Sequence, residues 1–136
     1  MPSSTPENIM SLTAQDLVAF AKAAITEIDA ERLLQLQASE VPVVDVREPA
    51  EYAAGHVPGA VNIPRGVLEF EVDGHPAVNG VKDPALGHRE LPIVLYCRSG
   101  GRSALAAEAL KRLGFVEPLS LAGGFNGWAE QKRAVE

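Results

Sequence analysis

The segment Leu91-Pro92-Ile93-Val94-Leu95-Tyr96-Cys97-Arg98-Ser99-Gly100-Gly101-Arg102-Ser103 concentrates the reactive chemistry of this chain. Cys97 follows a short apolar run that reads as a buried strand. It precedes an Ala- and Leu-rich stretch, 103–113, that reads as a helix closed by Gly114. Gly100 and Gly101 carry no side chains, so backbone N–H groups can converge on one point. The helix from Ser103 adds unpaired N–H groups and a partial positive charge, and Arg98 and Arg102 add full charges. Each factor favours a thiolate over a thiol, and such surroundings lower a cysteine from about 8.5 to about 3.5–7.5. A thiolate is the nucleophile that attacks sulfur. The plainer alternative is a buried structural cysteine with solvated arginines, since free cysteines are commonly buried. Two glycines and two arginines within five residues of the thiol argue against a packed core at this point.

Other candidate side chains are more dispersed. Asp45 and Arg47 stand at the end of another apolar run, 41–46. They pair with each other, pair with the cysteine loop, or form a surface ion pair that contributes little. His56 lies in the turn-forming segment Gly55-His56-Val57-Pro58-Gly59, which favours a structural hydrogen bond over a role as catalytic base. Arg65 and Glu69 read as surface residues or as the mouth of a pocket. Trp128 reads as core covering the loop from the side. His75 and His88 fall in a turn-rich stretch and do not pair as metal ligands.

The elements that must position these residues follow from periodicity and punctuation. Residues 1–11 are polar, with Pro2 and Pro6, and read as a tail. Thr13 caps a helix with Asp16 in its first turn, and Leu17, Phe20, Ala21 and Ala24 recur at helical spacing. An edge strand over 25–28 leads to Asp29, which caps a second helix running to Gln37 with Leu33, Leu34 and Leu36. Residues 41–46 form a strand buried on both faces. Pro49 opens a short helix that ends near Gly55. Residues 60–63 form a strand stopped by Pro64, and 65–70 form a single helical turn. Turn signals fill 71–90, a long surface excursion. Strands at 93–96 and 119–121 flank the main helix, and Gly123-Gly124 turns the chain into a final helix carrying Trp128. Strands alternating with helices predict an α/β fold with a mainly parallel sheet covered on both faces.

Composition bounds the function. A chain of 136 residues fits one domain and can bury a core without disulfides or a structural metal. No stretch approaches the roughly 18 apolar residues of a membrane span. A net charge of −6 repels nucleic acid and anionic lipid, so neither is expected as a partner. The single cysteine excludes an internal disulfide, a CxxC redox pair and a multi-cysteine zinc site. The run Leu17-Val18-Ala19-Phe20-Ala21-Lys22-Ala23 is too short for a signal sequence. Glu7 and Asp16, rather than Lys or Arg, precede it, so the protein is read as cytoplasmic.

Three ordered motifs carry a family resemblance. Cys97-Arg98-Ser99-Gly100-Gly101-Arg102-Ser103 resembles the active-site loop of a rhodanese (sulfurtransferase) domain. The stretch Asp45-Val46-Arg47-Glu48-Pro49-Ala50-Glu51-Tyr52-Ala53-Ala54-Gly55-His56-Val57-Pro58-Gly59-Ala60-Val61-Asn62-Ile63-Pro64 is similar to the family's upstream signature. Gly123-Gly124-Phe125-Asn126-Gly127-Trp128 is similar to its C-terminal one. The resemblance covers residues 25–132 and leaves 1–24, the tail and first helix, outside it. It implies a rhodanese-like domain with a five-stranded, mostly parallel sheet flanked by helices, preceded by an extra N-terminal helix.

The resemblance further implies a thiosulfate sulfurtransferase that carries sulfur as a persulfide on Cys97. The donor is a small anion held by Arg98, Ser99, Gly100, Gly101, Arg102 and Ser103, with Asp45 and Arg47 supporting the loop. The acceptor is cyanide, a small thiol or a protein thiol, and no metal or organic cofactor is implied. A rival is a persulfide carrier or regulatory module serving a protein partner, with the N-terminal helix as docking element. The family also includes phosphatases, and arsenate reductases work on a related oxyanion. In the phosphatase pattern five residues separate cysteine and arginine, which would put arginine where Ser103 stands. The shorter loop favours sulfur transfer.

Overall fold

A computed structural model of the chain describes residues 11–72 and 88–136. It contains a five-stranded sheet in the order β1-β5-β4-β2-β3 in which every pairing is parallel. The strands are β1 (Thr26–Ile28), β2 (Val43–Asp45), β3 (Val61–Asn62), β4 (Pro92–Tyr96) and β5 (Glu117–Leu121). The helices are α1 (Ala14–Ala24), α2 (Ala30–Ala38), α3 (Pro49–Ala53), α4 (Leu68–Val72), α5 (Gly101–Arg112) and α6 (Gly124–Glu130), with a 3-10 turn at Arg65–Val67.

Pleat alternation divides the apolar residues of the central strands between two core layers. Val44, Ile93 and Leu95 face a layer with Leu68 and Val72 of α4 and Ala106, Ala107 and Leu110 of α5. Val43, Val94, Tyr96 and Leu119 face the other, with Ala30, Leu33 and Leu36 of α2 and Trp128 of α6. The central strands are thus buried on both faces, as their unbroken apolar runs require. Cutting one fully buried leucine such as Leu95 or Leu110 to alanine costs about 2–5 kcal/mol.

The capping residues act as the sequence implies. Thr13 Oγ1 accepts from the amide of Asp16 at 3.0 Å, and Asp16 accepts from the amide of Thr13 at 2.9 Å. Asp29 accepts from the amide of Arg32 at 2.8 Å.

Several details differ from the sequence reading. Helix α5 begins at Gly101, two residues before Ser103, so Gly101 and Arg102 lie in its first turn. Gly100, at φ +113, makes the turn into it. Residues 65–72 form a 3-10 turn followed by a helix rather than one turn. The first two residues of the turn-rich stretch, 71 and 72, are thus helical, and most of the rest, including His75, lies outside the described residues. Strand β5 starts earlier, at Glu117, and includes Pro118. Proline is tolerated there because β1 pairs with β5 only from Leu119 onward. Helix α1 presents a different face from the one expected. Ala21 is buried and Val18 faces Gly101, while Leu17 and Phe20 remain exposed. The helix packs against α5, and Lys111 Nζ donates to the carbonyl of Ala24 at 2.7 Å.

Candidate active site

Ligands of open parallel sheets bind beyond the carboxyl ends of the strands, and Cys97 directly follows β4 at that end. Its side chain is 1% exposed, yet polar groups surround the sulfur. The amide of Gly100 donates to Sγ at 3.1 Å, the amide of Ser103 at 3.4 Å, and the Ser103 hydroxyl stands 3.6 Å away. Burial alone pushes the thiol up. The hydroxyl of Ser103 and the amides of Ser103, Gly100 and Ser99 outweigh that penalty, and the net direction is down. A structural cysteine in an apolar core would shift the other way.

The ring of donors is itself tied down. Ser103 Oγ lies 2.8 Å from Ser120 Oγ on β5 and 3.3 Å from the Gly100 carbonyl. From the far side, the amides of Phe125 and Asn126 donate to the carbonyls of Cys97 and Arg98 at 2.8 and 2.9 Å. Gly124, at φ +56, makes that approach possible. A Cβ there would come within 2.6 Å of both carbonyl oxygens. The Gly-Gly turn before α6 is thus shaped to dock against the cysteine loop.

Asp45 and Arg47 do pair with each other, but within the interior rather than on the surface. Arg47 Nη2 lies 2.7 Å from Asp45 Oδ2, with the two side chains 5% and 0% exposed. The Arg47 guanidinium also donates to the Gly55 carbonyl at 2.7 Å and stacks over Phe125, 4.5 Å from the ring centre. Burial works against its charge, but hydrogen bonding and attraction from Asp45 outweigh that and hold it raised. The pair is not hydrogen-bonded to the cysteine loop. It fixes the turn between β2 and α3 and, through Phe125, abuts α6.

The two arginines of the loop are not aimed at the sulfur. Arg102 grips Glu51 with two bonds, Nη1 to Oε1 at 2.9 Å and Nη2 to Oε2 at 3.2 Å. Arg98 reaches Oε2 of the same carboxylate at 3.3 Å. Hydrogen bonding to Arg102 and to the backbone of Glu48 holds Glu51 down at about 2. Glu51 lay inside the upstream signature, but its sequence neighbours give no sign of a partner 51 residues away. Ser120 escaped the sequence reading for the same reason. Its pairing with Ser103 arises only from the packing of α5 against β5.

A cleft of about 280 Å³ adjoins the loop, with Arg47, Glu51 and Arg98 on its walls beside Phe125 and Asn126. Arg65 and Glu69 are not at this mouth. They pair with each other at 3.0 Å and line a separate depression with Leu17 and Arg112. His56 stacks on Tyr52, its Nδ1 lying 2.9 Å from the Tyr52 carbonyl, and Nε2 faces Glu136 at 3.4 Å. It therefore serves hydrogen bonding at the C-terminal segment. Trp128 is core, with Nε1 donating to the Ala134 carbonyl at 2.7 Å, and it is Phe125 whose backbone reaches the loop. His88 faces Glu90 at 3.4 Å. No group of side chains suited to a metal ion occurs among the described residues, and no described helix is long and apolar enough to cross a membrane.

A parallel sheet in this order, with a cysteine ringed by amides at the end of its central strand, agrees with the family comparison. Residues 29–131 match the rhodanese-like domain, and the chain belongs to that family. A sulfurtransferase of Allochromatium vinosum is 35% identical over 77% of this chain and 89% of its own length. The thiosulfate sulfurtransferase GlpE of Pseudomonas entomophila is 34% identical over 74% and 82%. Among solved structures, a Rhodopseudomonas palustris protein described as a possible tyrosine phosphatase superposes with a TM-score of 0.79. It is 28% identical and covers 100% of this chain and 99% of its own. Helix α1 precedes the matched residues, yet its Val18 lies against Gly101 and its Lys22 near Gly100.

Proposed function

We propose that this chain is a sulfurtransferase that carries a sulfane sulfur as a persulfide on Cys97. The observation behind this reading is the convergence of the Gly100 amide, the Ser103 amide and the Ser103 hydroxyl on the Cys97 sulfur. Such donors stabilise a thiolate in the ground state and the terminal sulfur of a persulfide after transfer. With thiosulfate as donor, the thiolate attacks the outer sulfur, the sulfur–sulfur bond of the donor breaks, and sulfite leaves with the bonding pair. The charge is conserved, because a thiolate and a dianion become a persulfide anion and a sulfite dianion. An acceptor, cyanide or a small or protein thiol, then removes the outer sulfur and regenerates the thiolate. The names of the relatives support this class of reaction.

In this reading residues 25–132 form the catalytic unit, residues 1–24 are an appended tail and helix, and the protein works in the cytoplasm. Arg98, Ser99, Gly100, Gly101, Arg102 and Ser103 form the substrate-binding loop. Asp45 and Arg47 support it indirectly, through the turn before α3 and through Phe125. Phosphatase chemistry is disfavoured because Ser103 occupies the position of the arginine that a five-residue spacing would need.

The test is intact-mass measurement after incubation with thiosulfate. The native chain gains one sulfur atom, and Cys97→Ser gains none. An adduct that persists in the serine variant, or hydrolysis of an aryl phosphate by Cys97 without sulfur loading, overturns the reading.

A further inference from the structure

Glu51 is the one charged group of the cleft for which sulfur exchange has no evident use. Its position is nonetheless closely defined. Oε1 accepts from the amide of Glu48 at 2.9 Å and from Arg102 at 2.9 Å, and Oε2 faces both Arg102 and Arg98. Arg47, the third cation near the cleft, is already matched by Asp45. The exposed Glu48 carboxylate also acts on Arg102, and a Cys97 thiolate adds a fourth negative charge, so the three guanidiniums leave no surplus positive charge beside the cysteine loop. A dianion entering the cleft meets the Glu51 carboxylate with no surplus cation to balance it. A monoanion brings half that charge and meets half the repulsion.

We propose that Glu51 sets the charge of the sulfur donor, so that the cleft prefers sulfane sulfur carried on a singly charged group, such as an organic thiosulfonate or the persulfide of a thiol, over a dianion. The proposal rests on the sulfurtransferase reading and narrows its substrate class. Glu51 also positions the two arginines, because without its carboxylate neither has the anchor that holds it against α3. The transfer balances for either monoanion. The Cys97 thiolate takes the outer sulfur, and the donor leaves as a sulfinate or a thiolate with the bonding pair.

Thiosulfate and methanethiosulfonate test this directly. They offer the same transferable sulfur on a sulfonyl sulfur and differ by one charged oxygen replaced with a methyl group. kcat/KM for each is measured with cyanide as acceptor, and each is divided by the rate of the same donor with a free small thiol. So normalised, the wild type favours methanethiosulfonate, and a preference for thiosulfate overturns the proposal even if no variant folds. In Glu51→Gln the ratio moves toward thiosulfate by about tenfold, as removal of one nearby charge in a partly desolvated site requires. Glu48→Gln removes the same charge from an exposed position, and screening limits its effect to less than about twofold. Glu51→Asp retains the charge and the wild-type preference. An unmoved ratio in Glu51→Gln, or an equal shift in Glu48→Gln, overturns the proposal while leaving sulfur transfer intact. Failure of both donors to load wild-type Cys97 overturns the sulfurtransferase reading and this proposal together.

Discussion

The hydroxyl of Ser103 stands between Ser120, at 2.8 Å, and the Cys97 sulfur, at 3.6 Å, so a buried residue of β5 backs the group that faces that sulfur. Ser103→Ala should therefore raise the midpoint of Cys97 alkylation against pH. A hydrogen bond to an ionised group contributes about 1.5–3 kcal/mol, or about one to two pH units. The wild-type midpoint should lie below the ordinary thiol value of about 8.5. Linkage sets the matching stability effect. A depressed thiol stabilises the fold above its ordinary value, and that contribution disappears as pH falls through the folded value. An unchanged midpoint in the alanine variant would remove the Ser103 hydroxyl, though not its amide, from the thiolate's support.

The grip of Arg102 on Glu51 has its own pH signature. Glu51 is held at about 2 against an ordinary 4.5, first by hydrogen bonding to Arg102. Its contribution to stability is complete above the ordinary value and is lost as pH falls through the folded one. The melting temperature of Glu51→Gln should thus lie about 3–5 °C below wild type near neutrality, which corresponds to about 1 kcal/mol. The gap should close as pH approaches 2. Differential scanning calorimetry at a series of pH values checks this, and a gap independent of pH would assign the loss to packing.

Gly124→Ala should uncouple the cysteine loop from α6. A left-handed backbone costs an alanine about 1–2 kcal/mol, and the added Cβ collides with the carbonyls of Cys97 and Arg98. The expected result is a lower denaturation midpoint together with slower persulfide loading. Gly127→Ala provides the control, since a Cβ there meets nothing within 4 Å. Equal losses in both variants would show that α6 tolerates no methyl group anywhere and that the loop contact is not special.

Cys97 is the only cysteine of the chain, so no second thiol can resolve a persulfide formed on it. Loading with donor in the absence of acceptor should yield a species that survives gel filtration under anaerobic conditions. Turnover should be ping-pong, with donor product leaving before acceptor binds. Rapid loss of the sulfur, with unmodified Cys97 recovered, would show that the two-step scheme lacks a component.

The sequence exposes what is local. Thr13 and Asp29 announce their helices, and the apolar runs around Val44 and Val94 announce strands buried on both faces. The cysteine loop is legible because its glycines and cations would be out of place in a packed core. What the sequence conceals depends on register and on distance along the chain. Arg98 and Arg102 look like charges for the thiolate until α3 brings Glu51 to them. Asp45 and Arg47 leave open a pair with each other, a pair with the cysteine loop or a surface pair until the turn after β2 draws both inside. Helix α1 has several faces apolar enough to bury, and only the closeness of Val18 to Gly101 decides between them.

The strand order has a consequence for synthesis of the protein. Strand β1 is made before the loop, but among the described residues its only sheet partner is β5, at Glu117–Leu121. The cysteine loop likewise waits for Ser120 and for the amides of Phe125 and Asn126. A nascent or truncated chain that stops short of Asn126 therefore carries Cys97 without the contacts that seat its loop. Truncation before α6 should therefore loosen the hold of the Gly100 and Ser103 groups on the sulfur while leaving Cys97 in the chain.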